Sequence, residues 1–201
     1  MPATSPLHNK TNHVSEEAGQ HSTETESEQA GKHVQPVIVV KIGGSTFGSH
    51  DTSLSDIAEL QRKGVSPVIV HGGGRSITEW MEKQGVRPRF VRGLRVTDSA
   101  SLDIVVAVLT GLVNKQLVNE LAVLGVQAMG ISGVDGGILQ AEIQNPELGF
   151  VGRVTKVNTS PIKGVLQAGL VPVIAPVAVS TTKKSNNELQ LLNVNADVAA
   201  G

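Results

Sequence analysis

The sequence holds no cysteine and no tyrosine, and its aromatics are one tryptophan and three phenylalanines. Without thiols, disulfides, thiolate metal sites and cysteine nucleophiles are all excluded. So small an aromatic complement offers no platform on which nucleobases could stack. Charge of neither sign dominates: 17 Lys and Arg face 18 Asp and Glu, a formal net charge of −1. That balance provides neither the basic field a nucleic-acid partner requires nor the acidic excess of a solvating tail. No uninterrupted apolar run approaches the roughly 20 residues of a membrane span. These absences point to a soluble, cytoplasmic protein with no nucleic-acid partner and no membrane. Its 201 residues suffice for one ordinary domain with a real core.

Residues 1–35 stand apart. They hold four of the six histidines among Ser, Thr, Glu, Gln and Asn, with almost nothing apolar and no arginine. Such a stretch cannot bury enough surface to offset its ordering entropy, so a disordered polar tail is expected. It lacks the apolar segment of a secretory signal and the arginines of a mitochondrial presequence. His8, His13, His21 and His33 are too widely spaced to suggest a metal site.

From residue 37 the pattern alternates between strands and helices. "VIVVK" (37–41) and "PVIV" (67–70) are short apolar runs that read as buried parallel strands. "DTSLSDIAELQRKG" (51–64) suits a helix closed by Gly64, and a second helix follows "HGGG" near 75–84. The longest periodic segment is 99–124, where Ile104, Val105, Val108, Leu109, Leu112, Val113, Leu117 and Leu121 recur at helical spacing. Beyond it lie "VQAMGI" (126–131), two hairpin strands near 138–144 and 151–157, and a helix near 160–168. The strand "VPVIAPV" (171–177) and a last strand near 188–192 complete the order. This alternation implies an α/β fold with a mostly parallel sheet covered on both faces.

Two segments repeat one design, a buried strand running into glycines: "VVKIGGST" and "VIVHGGGR". Glycines at the carboxyl ends of parallel strands let backbone N–H groups approach a ligand, and the start of a following helix favours an anion. Glycines are also the default for tight turns, so either cluster alone is weak evidence. Together, with Lys41 at the first, they point to phosphate. Neither matches the GxxxxGK[ST] or GxGxxG fingerprint. In "RFVRGLRVTD" (89–98), Arg95 sits between Leu94 and Val96, as either a bidentate carboxylate clamp or a snorkelling strand arginine. Asn193 and Asp197, four apart in "NVNAD", would share one face of a starting helix. Either could equally be a helix cap or a helix-start acid. His71 before its glycine turn invites a general-base reading, but a hydrogen-bonded structural histidine is the commoner case. No G-x-S-x-G, HExxH or carboxylate cluster supports a hydrolase or a metal site.

With these residues assembled, the chain resembles the amino acid kinase family. The matching segments are "VVKIGGS" (39–45), "VIVHGGG" (68–74), "GLRVTD" (93–98), "VNKQLV" (113–118), "GISGVDGG" (130–137), "VPVIAP" (171–176) and "LLNVNADVAAG" (191–201). They fall in the family's order and at nearly its spacing, and "GLRVTD" with "NVNAD" is particular to the branch acting on N-acetyl-L-glutamate. The resemblance implies a three-layer sandwich around a mostly parallel sheet. Residues 36–201 would form the acyl-amino-acid lobe and the first residues of the ATP lobe.

The implied reaction is transfer of the ATP γ-phosphoryl group to the side-chain carboxylate of N-acetyl-L-glutamate, the second step of arginine biosynthesis. ATP would carry Mg2+ with it. By the same resemblance, Lys41 stabilises the transferring group, and Gly43, Gly44 and Gly73 donate to phosphates. Gly73 and Gly74 also face the substrate, Arg95 binds its α-carboxylate, Asn193 its amino-acid or acetamido portion, and Asp197 positions the lysines. A carboxylate nucleophile, with an ordinary pKa of about 4.3, is already ionised at pH 7 and needs no general base. The family's remaining half carries the base site and a second lysine, so this chain alone is expected to be inactive or nearly so. A homodimer through 99–124 and insensitivity to arginine are also expected. Alternatives are a kinase acting on carrier-protein-linked aminoadipate or glutamate, and a non-catalytic module that binds acidic amino acids.

Overall fold

The computed structural model describes residues 35–43, 52–183 and 189–201. The polar tail expected for 1–35 therefore lies outside the described residues, Gln35 excepted, and so does Gly44. Strand β1 (Val37–Ile42) leads to helix α1 (Ser53–Arg62), β2 (Ser66–His71) and α2 (Gly74–Lys83). A two-strand hairpin follows, β3 (Phe90–Val91) and β4 (Leu94–Arg95). Next come α3 (Ser99–Val106), a π-helical segment (Ala107–Val113), α4 (Asn114–Val123) and β5 (Ala128–Ser132). The chain continues through β6 (Leu139–Ile143), β7 (Val151–Val157), α5 (Ser160–Gln167) and β8 (Val171–Ala175). It closes with β9 (Val177–Lys183), β10 (Leu189–Val194) and α6 (Ala196–Ala200).

Four of the strands form the expected parallel sheet, in the order β1-β2-β8-β5. Period-two alternation sends the side chains of β2 and β8 to opposite faces. Ile69, Val171, Val173 and Ala175 meet α1, α2 and the long helical segment on one side. Val68, Val70 and Ile174 meet α5 and α6 on the other. The result is a three-layer α/β/α sandwich. Strand β1 differs from its expectation. It lies at the sheet edge, with Val37 and Val39 more than half exposed and only Ile42 fully buried. Its apolar run reads as buried because β-branched residues suit a strand wherever it sits in the sheet.

Residues 99–123 form one continuous helical rod, long and apolar enough by composition to cross a membrane. No uninterrupted apolar run marks it in the sequence, because its apolar residues are interspersed with polar ones. Val105, Leu109, Val113, Leu117 and Leu121 of the rod are all buried in the main core. Burying a leucine of this kind contributes roughly 1.5–3 kcal/mol. The rod also carries Asp103, Lys115 and Glu120, as a core helix with one wet face does.

A second unit was only half legible. The antiparallel pair β6–β7 is the hairpin expected at 138–157. However, β7 also pairs in parallel with β10, β10 antiparallel with β9, and β9 in parallel with β6, so the four strands close on themselves. Ile138, Leu139, Ala141, Ala178, Leu192 and Val194 fill this small core. The expected strand 171–177 is interrupted at Pro176, where the chain leaves the parallel sheet at Ala175 and enters the closed unit at Val177. Proline cannot donate to a ladder, so the break falls on it.

Candidate anion-binding active site

A cavity of about 260 Å3 opens where the carboxyl ends of β1, β2 and β8 meet the closed unit and the β3–β4 hairpin. Of the residues expected at a site, Lys41, Gly73, Gly74, Arg95, Asn193 and Asp197 all line it. Gly43 directly follows β1 and is not a lining residue.

Lys41 reaches the cavity from the end of β1. Its Nζ lies 2.9 Å from Asp197 Oδ1, with the two side chains 34% and 69% exposed. A pair so open to water is worth at most about 1 kcal/mol, so the lysine can exchange its partner for another anion. Next to it, the turn after β2 is tied down by the Gly72 N–H, which donates to the Ile42 carbonyl at 2.8 Å. Helix α2 begins at Gly74 with no side chain capping its first turn, and its free N–H donors adjoin the cavity. Gly73 is there for space: a Cβ would lie 2.6 Å from Leu109 Cδ2 on the long rod.

Arg95 is built quite differently. It is 8% exposed, and its Nη2 donates to the Gly74 carbonyl and to Thr78 Oγ1, each at 2.8 Å. Its Nη1 points at Met81 Sδ, 3.1 Å away, and the guanidinium lies over the Phe90 ring at 4.7 Å. Burial pulls its pKa down from the usual arginine value. Among the described residues no carboxylate pairs with it. Buried cations are ordinarily paired with an anion, and here the head group is met by neutral groups. The snorkelling alternative does not hold, because the head group, and not only its stem, is enclosed.

Asn193 and Asp197 do not share a helical face. Asn193 belongs to β10, where its backbone N–H donates to the Phe150 carbonyl at 2.9 Å and its Nδ2 to Thr97 Oγ1 at 3.1 Å. Helix α6 starts three residues later. Its cap is Asn195, whose Oδ1 accepts from the N–H groups of Asp197 (2.8 Å) and Val198 (3.3 Å). Asp197 is a first-turn acid as well as the partner of Lys41. Strand pairing with β7 and β9 extends the extended backbone through 193 and delays the helix.

His71 is fully buried and structural. Its Nδ1 donates to the Gly72 carbonyl (2.8 Å), and its Nε2 accepts from Asn114 Nδ2 (3.2 Å). Burial lowers its pKa, which keeps the ring neutral and unsuited to service at the cavity. Sequence reading missed Thr78, Phe90, Thr97 and Asn114. For Phe90 a signal was present: a two-residue turn at Arg92-Gly93 sets Phe90 opposite Arg95 across the hairpin. Thr78, Thr97 and Asn114 are joined to the site only by tertiary contacts.

Comparison with known proteins identifies relatives over most of the chain. An acetylglutamate kinase of Dehalococcoides mccartyi strain 195 is 48% identical over 165 residues, covering 82% of this chain and 61% of that protein. One from Methanopyrus kandleri is 44% identical over 170 residues, covering 81% and 64%. This chain thus spans a little under two thirds of the length of these curated relatives. Among solved structures, smu.665 of Streptococcus mutans UA159 superposes with a TM-score of 0.69 at 33% identity, covering 81% of this chain and 64% of that one. The N-acetylglutamate synthase of Neisseria gonorrhoeae shares the fold, with a TM-score of 0.64 at 24% identity over 82% of this chain and 38% of its own. The Amino acid kinase family profile matches residues 36–201, and on that match and these identities the chain belongs to the amino acid kinase family.

Proposed function

We propose that this chain binds N-acetyl-L-glutamate in the cavity and contributes the acceptor half of a site where ATP phosphorylates its side-chain carboxylate. The observation that carries this reading is Arg95, a buried guanidinium held by neutral groups and, among the described residues, lacking a carboxylate of its own. The α-carboxylate of the substrate would supply that charge, and Asn193 would hold the acylated amino group. The side-chain carboxylate would then reach toward Lys41 and the Gly73–Gly74 turn.

In the transfer, a carboxylate oxygen bonds to the γ-phosphorus while the bond to the ADP oxygen breaks, with no proton to remove. What the residues must supply is alignment of two anions and neutralisation of the charge between them. Lys41 and the uncapped N–H groups opening α2 suit that task, with Asp197 holding Lys41 until the phosphates arrive. Gly43 and Gly44 belong to the same phosphate role. Magnesium would come bound to the nucleotide as part of the substrate. A homodimer through the 99–124 region fits Leu112 and Val123 on that rod and Leu124 just after it, all exposed, and cytoplasmic location suits the reaction.

Titration calorimetry of N-acetyl-L-glutamate into the 201-residue chain tests the reading, with free L-glutamate as comparator. Saturable binding that prefers the acetylated acid is expected. No binding, or equal binding of both acids, would contradict it.

A further inference from the structure

Thr97 is a fully buried polar residue to which the sequence assigns no role. Its main chain is clamped from both sides. The Thr97 N–H donates to the Leu148 carbonyl at 2.8 Å, and the Phe150 N–H donates to the Thr97 carbonyl at 2.7 Å. The intervening Gly149 has φ of +69°, and a Cβ there would collide with the Thr97 carbonyl oxygen. Phe150 in turn accepts the Asn193 N–H. The strand bearing Arg95, the turn before β7 and the end of β10 are thus locked together around this one residue.

The hydroxyl turns that lock into a choice of orientation. A threonine hydroxyl has a single hydrogen. Here the backbone carbonyl of Arg95, 3.3 Å away, accepts it, and the threonine is enclosed from solvent. With the hydrogen so used, the oxygen's lone pairs are left for Asn193, whose Nδ2 donates to it at 3.1 Å. The amide oxygen then has no partner among the described residues, is not closed off from solvent, and belongs to a side chain lining the cavity.

We propose that Thr97 is a positioning residue that sets the Asn193 amide with its oxygen toward the cavity. The site then presents a hydrogen-bond acceptor beside the guanidinium donor of Arg95. That pairing is complementary to a carboxylate with an N–H on the neighbouring carbon, the common feature of α-acylamino acids. A diacid without that N–H would leave the acceptor unmatched. The inference about ligand choice rests on the substrate reading above, whereas the orientation of the amide does not.

Two measurements on the 201-residue chain and its Thr97→Val and Thr97→Ser variants test this. The first is hydrogen exchange at the Asn193 side-chain amide, read by NMR against exposed Asn195. The second is calorimetric affinity for N-acetyl-L-glutamate and for glutarate. In the unaltered chain the Asn193 amide is expected to exchange about tenfold more slowly than that of Asn195. Thr97→Val should abolish the protection and weaken N-acetyl-L-glutamate binding about tenfold, with glutarate binding little changed. Thr97→Ser should restore both. Thr97→Val retaining protection, or weakening both ligands equally, would overturn the proposal. So would an unprotected Asn193 amide in the unaltered chain, a result that needs no variant to fold. A protected amide in a chain that binds no N-acetyl-L-glutamate would sink the substrate reading and leave the positioning role standing.

Discussion

Arg95 and Lys41 are both cations on one cavity, yet the protein has treated them in opposite ways. Arg95 is enclosed by the Gly74 carbonyl, Thr78, Met81 and Phe90, its geometry set before any ligand arrives. Lys41 is a third exposed and, among the described residues, its ion-pair partner is an aspartate more exposed than itself. An enclosed cation recognises, because removing its ligand leaves a desolvated charge uncompensated. An exposed cation on a flexible stem exchanges partners cheaply and can follow a group in transit. On the reading proposed above, one end of the cavity holds a fixed carboxylate and the other meets charge that moves.

Replacing the fixed cation should break this contrast most severely. Arg95→Ala is expected to weaken N-acetyl-L-glutamate by about a hundredfold, within the 2–5 kcal/mol typical of a buried charge pair losing one member. Arg95→Lys should not restore it, since an ammonium cannot reproduce the planar contacts to Gly74, Thr78 and Phe90. Calorimetry measures both, with circular dichroism to confirm folding. At the other end, Lys41→Ala should weaken binding of pyrophosphate about tenfold while altering unfolding free energy by at most about 1 kcal/mol. Equal losses of N-acetyl-L-glutamate and pyrophosphate affinity in the two variants would erase the distinction between them.

Much of the parallel sheet was legible because its signals are local. Buried runs such as "PVIV" and the 3.6-residue periodicity of 99–124 survive in any context, and Gly64, at φ +80°, ends α1 as its position announces. The closure of β6, β7, β9 and β10 was not legible, because parallel pairings between distant segments leave no local mark. The same limit applies to the site. Lys41, Gly73 and Arg95 could be picked out by their neighbours in sequence. Asn193 was placed on a helix because "NVNAD" carries a cap signal, which Asn195 in fact fulfils. Thr97, which touches Asn193 across 96 residues of chain, had no local signature at all.

Smaller effects sharpen the comparison between the site and its support. His71 holds the base of the glycine turn, and its folded pKa lies below the unfolded value of about 6.5 because burial disfavours the charged ring. Below that unfolded value the unfolded chain binds the extra proton, so this contribution to stability is intact above pH 6.5 and is lost as pH falls toward the folded pKa. Thermal melts between pH 7.5 and 5.5 should show a decline that His71→Gln makes shallower. The smallest effect is expected at Asp98, which caps α3 by accepting the Ser101 N–H at 2.9 Å, a bond that lowers its own pKa. Asp98→Ala should cost about 1 kcal/mol in urea unfolding at pH 7 and leave pyrophosphate binding unchanged.

The most direct test of the two-ended cavity is a crystal structure of this chain with N-acetyl-L-glutamate bound. The α-carboxylate should lie within hydrogen-bonding distance of the Arg95 guanidinium, and the side-chain carboxylate should extend toward Lys41 and Gly73. A ligand bound the other way round, or seated away from Arg95, would contradict the account.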